Sequence, residues 1–173
     1  MVANDRTRIE RIGVLNRMTH ERGADMSESI RIRVLGSGDE DVLSAVAEDV
    51  FDRPILAEQA VRFLGDRRHI LVVALANELV VGMVSAVEYF YPDKPPALWI
   101  NEVGVAPTHQ RQGTGRRVLA GALDEGKRRG CHEAWVGTET DNVPARCLYE
   151  DGGATVDLER FVSYEWSLLG ADD

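Results

Sequence analysis

One stretch limits what this chain can fold into more than any other: Leu98 to Arg117, LWINEVGVAPTHQRQGTGRR. Trp99, Asn101, Val103 and Val105 recur at period two, with Ile100, Glu102 and Gly104 between them. That reads as a strand with the first set on one face and the second on the other. Pro107 has no N–H to continue a ladder, so the strand ends there. Gln110, Arg111, Gln112, Gly113, Thr114 and Gly115 follow, and then Val118, Leu119, Ala122 and Leu123 fall on one stripe of a helix. Strand, glycine turn and helix are compressed into a short run.

Two glycines at a helix start let a bulky anion approach the backbone. The unpaired N–H groups of the first turn and the positive end of the helix dipole then hold it. An isolated Gly-x-Gly also serves as an ordinary tight turn and assigns no ligand alone. The nucleotide P-loop fits poorly, because no Lys-Ser or Lys-Thr follows these glycines. The dinucleotide fingerprint also fits poorly, because Val118 stands where its third glycine would fall.

Val105-Ala106-Pro107 followed by Gln110-x-x-Gly113-x-Gly115 resembles the signature of the GCN5-related N-acetyltransferase (GNAT) family. Downstream, Asn142-x-x-Ala145-x-x-Leu148-Tyr149-x-x-x-Gly153 is similar to a second element of that family, with Ala154 in place of the usual aromatic. The resemblance runs over roughly residues 30 to 168. It implies an α/β (α+β) fold: a mixed, mostly antiparallel twisted sheet of about seven strands, splayed after the fourth and flanked by four helices. It implies acetyl-CoA as donor. The pantetheine would pair along Val103, Gly104 and Val105, and the pyrophosphate would sit on the loop of Gln110, Arg111, Gln112, Gly113, Thr114, Gly115 and Arg116. Asn142, Ala145 and Tyr149 would border the pantetheine arm, with Tyr149 as the acid that protonates the departing thiolate.

Composition agrees with one domain. The chain has 173 residues, 44% hydrophobic, enough for a real core. A net charge of -9 argues against nucleic acid and anionic membrane as partners and suits a cationic substrate, though acidity also serves solubility alone. Cys131 and Cys147 form no Cys-x-x-Cys or Cys/His cluster, so both read as reduced thiols, and no metal site is expected. No apolar run has the length of a membrane span, which suits a cytoplasmic protein. A homodimer is compatible with the resemblance, but no residue shows it.

Taken in order, residues 1–28 carry many charges, with five arginines interrupted by Asp5, Glu10, Glu21 and Asp25, and little apolar periodicity. They read as an N-terminal extension: a short helix, a disordered arm, or sequence upstream of a start at Met26. The domain proper spans 29–170. Ile30–Leu35 reads as a strand, and Ser37-Gly-Asp-Glu40 as a capping box before a helix carrying Val42, Leu43, Val46, Ala47, Val50 and Phe51. A second helix is expected over Ala57–Leu64. Strands follow over Ile70–Leu75 and Leu79–Tyr89, joined at Ala76-Asn77-Glu78, with Gly82 marking a bulge or close packing. Glu133–Glu139 reads as a long strand. Asn142 and Pro144 open a helix that ends at Gly152-Gly153, and 154–157 with 161–168 read as a closing hairpin.

Acetyl transfer to an amine needs a neutral nucleophile, yet aliphatic amines are mostly protonated at pH 7. A carboxylate that holds the cation and takes its proton meets that need. Glu102, in mid-strand beside the cofactor motif, is the candidate base; a water-facing glutamate is the plainer alternative. The local sequence most resembles the type I aminoglycoside 3-N-acetyltransferases. There an acidic residue before Leu-Ala-Val matches Glu102-Val103-Gly104-Val105, and an acidic, proline-containing loop matches Glu139-Thr-Asp141-Asn-Val-Pro144-Ala. That resemblance implies Glu139 and Asp141, with Glu88 and Glu102, as contacts to a cationic amino sugar. Asp49, Asp52 and Glu58 are further acids that would face such an acceptor, or else a solvated surface. Acceptors of another kind (a polyamine, an amino acid, a protein amino group) and a non-catalytic acyl-CoA-binding protein are the alternatives.

Overall fold

The computed structural model describes residues 29–156 together with Tyr164, Trp166 and Leu168. Its centre is a hairpin of aliphatic runs, His69–Ala76 (β2) and Leu79–Tyr89 (β3). Both strands are buried on both faces, so neither alternates apolar with polar. Asn77 and Glu78 join them with φ of 46° and 70°, the left-handed pair that a two-residue hairpin turn requires. Arg31–Leu35 (β1) pairs antiparallel with β2, and Ala97–Val105 (β4) pairs antiparallel with β3. Glu133–Val136 (β5) pairs with β4 in parallel and ends the order β1-β2-β3-β4-β5.

A parallel pair needs a crossover, supplied here by the helix Thr114–Arg128 (α2). Its buried stripe is Val118, Leu119, Ala122 and Gly126. Each of the larger apolar side chains so buried contributes about 1.5–3 kcal/mol relative to exposure. A Cβ at Gly121 would meet Val72 at 3.0 Å, one at Gly126 would meet Leu98 at 2.9 Å, and one at Gly82 would meet Thr114 at 3.0 Å. Val72, Gly82 and Leu98 therefore face α2. Leu71 and Ser85 face the other way, toward the helix Ala57–Gly65 (α1), whose Ala60 and Leu64 are buried. A third helix, Val143–Asp151 (α3), lies against α2, with Leu148 near Gly115 and Leu119 near Gly152.

Two bulges adjust the sheet. Ala74 pairs with Gly82 while Leu75 pairs with Val80, which leaves Val81 as the extra residue beside the glycine expected to mark it. Ser85 pairs with Glu102 while Ala86 pairs with Ile100, so Asn101 is the extra residue in β4. This second bulge corrects the simple alternation expected for that strand. Leu98 and Ile100 share the α2 face with Val103 and Val105; Trp99 and Asn101 share the opposite face with Glu102 and Gly104.

The described residues hold five strands and three α-helices, not the seven and four expected. The helix expected over residues 42–51 is a short 3-10 turn, Glu40–Ser44, followed by extended chain. Val80 explains the change: its carbonyl accepts from Ala47 N–H at 2.8 Å and its N–H donates to Ala45 at 2.9 Å. Those bonds draw the segment onto β3, and Asp49 turns it at a φ of 59°. Leu43 and Val50 still become buried, so the apolar spacing was obeyed by a different backbone. The expected capping box does not form across the turn: Asp39 takes the Gly36 N–H and Glu40 the Gly38 N–H. β5 stops at Val136, three residues short of Glu139. Ala154, Thr155 and Val156 are irregular, and the rest of the expected closing hairpin lies outside the described residues, apart from Tyr164, Trp166 and Leu168. Residues 1–28 also lie outside them. Among the described residues no helix is long and apolar enough to cross a membrane.

The strap over residues 45–52 rests on β4 through one glycine. A Cβ on Gly104 would fall 2.0 Å from the Val50 carbonyl oxygen. Gly104→Ala is therefore expected to lose about 1–3 kcal/mol of stability in urea unfolding. Gly115→Ala, whose Cβ would meet nothing closer than 3.5 Å, is expected to stay near the parent.

Candidate active site

β5 covers only part of β4. Its register runs from Ala97 with Glu133 to Ile100 with Val136, so, among the described residues, Asn101–Val105 have β3 on one side and an open edge on the other. Ala106 N–H donates to Val81 at 2.9 Å. By alternation Gly104 also turns its peptide groups to β3, and Val103 and Val105 turn theirs to the open edge. The Val105 carbonyl there accepts the Gln110 side-chain amide at 3.0 Å. Gly104, expected to pair with pantetheine, instead gives room to the strap.

The glycine loop lies at the end of this edge. Arg111 and Gly113 have φ of 58° and 80°, and Gly113 is the residue before α2. Gln112 is tied back to the Thr108 carbonyl at 2.8 Å. The first intrahelical bond runs from Arg117 N–H to Gly113, which leaves Thr114, Gly115 and Arg116 with first-turn N–H groups free of helical partners. Among the described residues no heavy atom beyond its chain neighbours lies within 4 Å of a Cβ built on Gly113, so the loop leaves room there for a bulky group. A diphosphate fits these donors and the helix dipole. Arg116 is held by Asp151 at 2.6 Å, and its guanidinium points along α3 rather than standing alone.

On the face toward α1 Glu102 is half-buried, against a cavity of about 330 Å³. Burial first, and next the Asp52 carboxylate, push its carboxyl above the ordinary value; a hydrogen bond from the Asp52 backbone N–H works against them. Asp49 and Asp52 lie on the strap, around a smaller cavity of about 250 Å³. Glu58 is exposed on α1. Spacing alone hid the Asp52–Glu102 approach, since it depends on the strap's path.

Tyr149 is half-buried on α3 and packs against the core. Burial and then the charge of Glu139 push its phenol upward, so it holds its proton at neutral pH. Asn142 caps α3 by accepting Ala145 N–H at 3.2 Å, and its backbone N–H donates to the Glu139 carbonyl at 3.1 Å. The backbone N–H of Glu139 itself first, and then the nearby Asn142 side chain, lower the Glu139 carboxyl. Asp141 is exposed in the same loop. Glu88 is not brought to these groups. It faces α2, where Arg129 approaches it at 3.7 Å, and Arg129 and Arg128 both bind the buried Glu125. These bonds, those of Arg128 above all, lower Glu125 to about 2. Its contribution is thus present above the ordinary carboxylate pKa and lost only as pH falls toward 2.

Two outcomes follow. Gly113→Val is expected to weaken coenzyme A binding at least about tenfold by calorimetry, through positive-φ strain and a filled approach. Glu88→Gln is expected to leave acceptor KM within about twofold while lowering stability by up to about 1 kcal/mol in thermal unfolding.

The comparisons with known proteins agree with this geometry. The family model described as "Acetyltransferase (GNAT) family" matches residues 40–153. No curated protein matches the chain. Among solved structures, the chain is similar to an aminoglycoside acetyltransferase from an uncultured soil metagenomic sample, in complex with sisomicin. Identity is 20% over 81% of this chain and 97% of that one, with a TM-score of 0.66. The aminoglycoside acetyltransferase AAC(6′)-Iy, in complex with a bisubstrate analogue of CoA, is 16% identical over 80% and 99%, with a TM-score of 0.67. A transcriptional regulator from Bacillus halodurans is 25% identical over 79% and 100%, with a TM-score of 0.62.

Proposed function

The chain belongs to the GNAT acetyltransferase family, and on that footing we propose that it acetylates a primary amine of an aminoglycoside, with Glu102 as base and Tyr149 as acid. Acetyl-CoA is the donor, and when bound it supplies the acetyl group as an activated thioester. The loop of Gln110–Arg116 and the open edge at Val103 and Val105 are the residues that would hold it. The observation that carries the reading is the position of Glu102: a carboxylate of raised affinity for protons, on the acceptor face of the strand whose other edge is open.

Glu102 first holds the ammonium of the acceptor and then takes its proton, leaving the lone pair for attack. The N–H groups of Val103 and Val105 point to the open edge, where negative charge would develop. Tyr149, kept neutral by burial, donates its proton to the departing thiolate. The acceptor reading draws on the acids at Glu139, Asp141 and Asp52, on the net charge of -9, and on neighbours named as aminoglycoside acetyltransferases. The 3-amino group is the position implied by the resemblance; the name of one neighbour carries 6′.

Glu102→Gln is expected to lower kcat/KM about 10²–10⁴-fold on the best acceptor. The parent's acid limb should fall above the ordinary carboxylate value of 4.5, because a raised pKa keeps the base protonated to higher pH. In the variant that limb should vanish, leaving activity that rises with the free amine. A panel of sisomicin, kanamycin, spermidine and peptides, read by thiol release and by the position of the acetyl group, tests the acceptor. Turnover confined to spermidine or peptides would reject the aminoglycoside.

A further inference from the structure

The cavity beside Glu102 is built for carbon rather than hydroxyl groups. α1 and the strap form its roof, with Phe51, Ile55 and Phe63 projecting toward Leu71 on β2. Its polar lining is confined to Gln59 on the roof and Ser85, Asn101 and Glu102 on the sheet. At about 330 Å³ it is of small-ligand size. An ammonium seated on Glu102 directs its own substituent into this space. A hydroxyl carried there would lose water and face mostly side chains that cannot bond it.

We infer that the amine this enzyme acetylates is borne on an apolar, hydroxyl-poor carbon group that fills the cavity between α1 and β2–β4. The inference rests on the reading of Glu102 as the acceptor-site base, not on the acceptor being a sugar. It is specific to the ring or chain that carries the reacting nitrogen. The remainder of a larger acceptor can stay polar and lie against the acidic loop of Glu139 and Asp141. Among amino sugars it selects those whose amine-bearing ring lacks hydroxyls.

The test compares a matched pair, cyclohexanemethylamine and 6-amino-6-deoxyglucose, which present the same CH2–NH3+ on a bare and a hydroxylated ring. Binding is measured by calorimetry with coenzyme A present, and kcat/KM with acetyl-CoA. The bare ring is expected to win by about tenfold or more in both. Leu56→Asn, at the exposed rim, should reduce that ratio several-fold with thermal unfolding little changed, and Ile55→Asn, whose side chain packs against the core, should reduce it too at a lower unfolding temperature. Equal binding, the reverse order, binding of neither amine, or a ratio that both variants leave unchanged would overturn the inference. Sisomicin and kanamycin, run alongside, separate the two proposals. A bare-ring preference with no aminoglycoside turnover keeps the cavity and rejects the sugar; equal turnover of both antibiotics with no ring preference does the opposite.

Discussion

One extra residue in β4 decides what the sheet can do. Without the bulge at Asn101, strict alternation would put Glu102 on the same face as Leu98 and Ile100, under α2 and away from any opening. With it, the apolar residues before and after the bulge, Ile100 and Val103, can both pack on α2 while Glu102 turns to the opposite face, toward α1 and Asp52. The same strand thus gives the core four apolar side chains and turns one carboxyl to the other face, toward the cavity under α1. Bulges often re-aim a side chain beside an active site, and here the re-aimed group is the only acid in the strand.

The two ends of this strand edge are shaped by opposite uses of glycine. At Gly104 the missing Cβ admits the Val50 carbonyl and lets the strap lie flat, which carries Asp52 toward Glu102. At Gly113 the missing Cβ permits a left-handed turn that leaves three peptide N–H groups pointing outward at the start of α2. Between them, among the described residues, β4 has no partner strand beyond Ile100, and the edge of Val103 and Val105 runs from the glycine loop toward the cavity beneath α1. Burial first, and then the Asp52 charge, raise the proton affinity of Glu102, with a consequence for folding. A carboxyl that binds its proton more tightly when folded favours folding at low pH, and that contribution is lost as pH rises from the ordinary carboxylate value through its folded pKa.

Much of this was legible in the residues. The two-motif resemblance is borne out by the family match, and the hairpin, α1, α2 and the Asn142 cap of α3 fall where periodicity and capping chemistry place them. What was not legible depends on contacts distant in sequence. Val42 to Phe51 has helical spacing, but Val80 offers that segment two backbone bonds, and a bridge replaces the helix. The bulge at Asn101 carries no glycine or proline to signal it. Glu88 looks like any strand-end acid until Arg129 is found beside it. The shortened β5 reflects the chain leaving the sheet at Gly137 for the loop that Asn142 closes on Glu139.

The most direct measurement is an NMR titration of the Glu102 side-chain carboxyl in the parent and in Asp52→Asn. This account places the parent midpoint above 4.5 and moves it downward when the neighbouring charge is removed. A midpoint at or below 4.5, or one indifferent to Asp52, would contradict a half-buried carboxyl turned by the bulge toward Asp52.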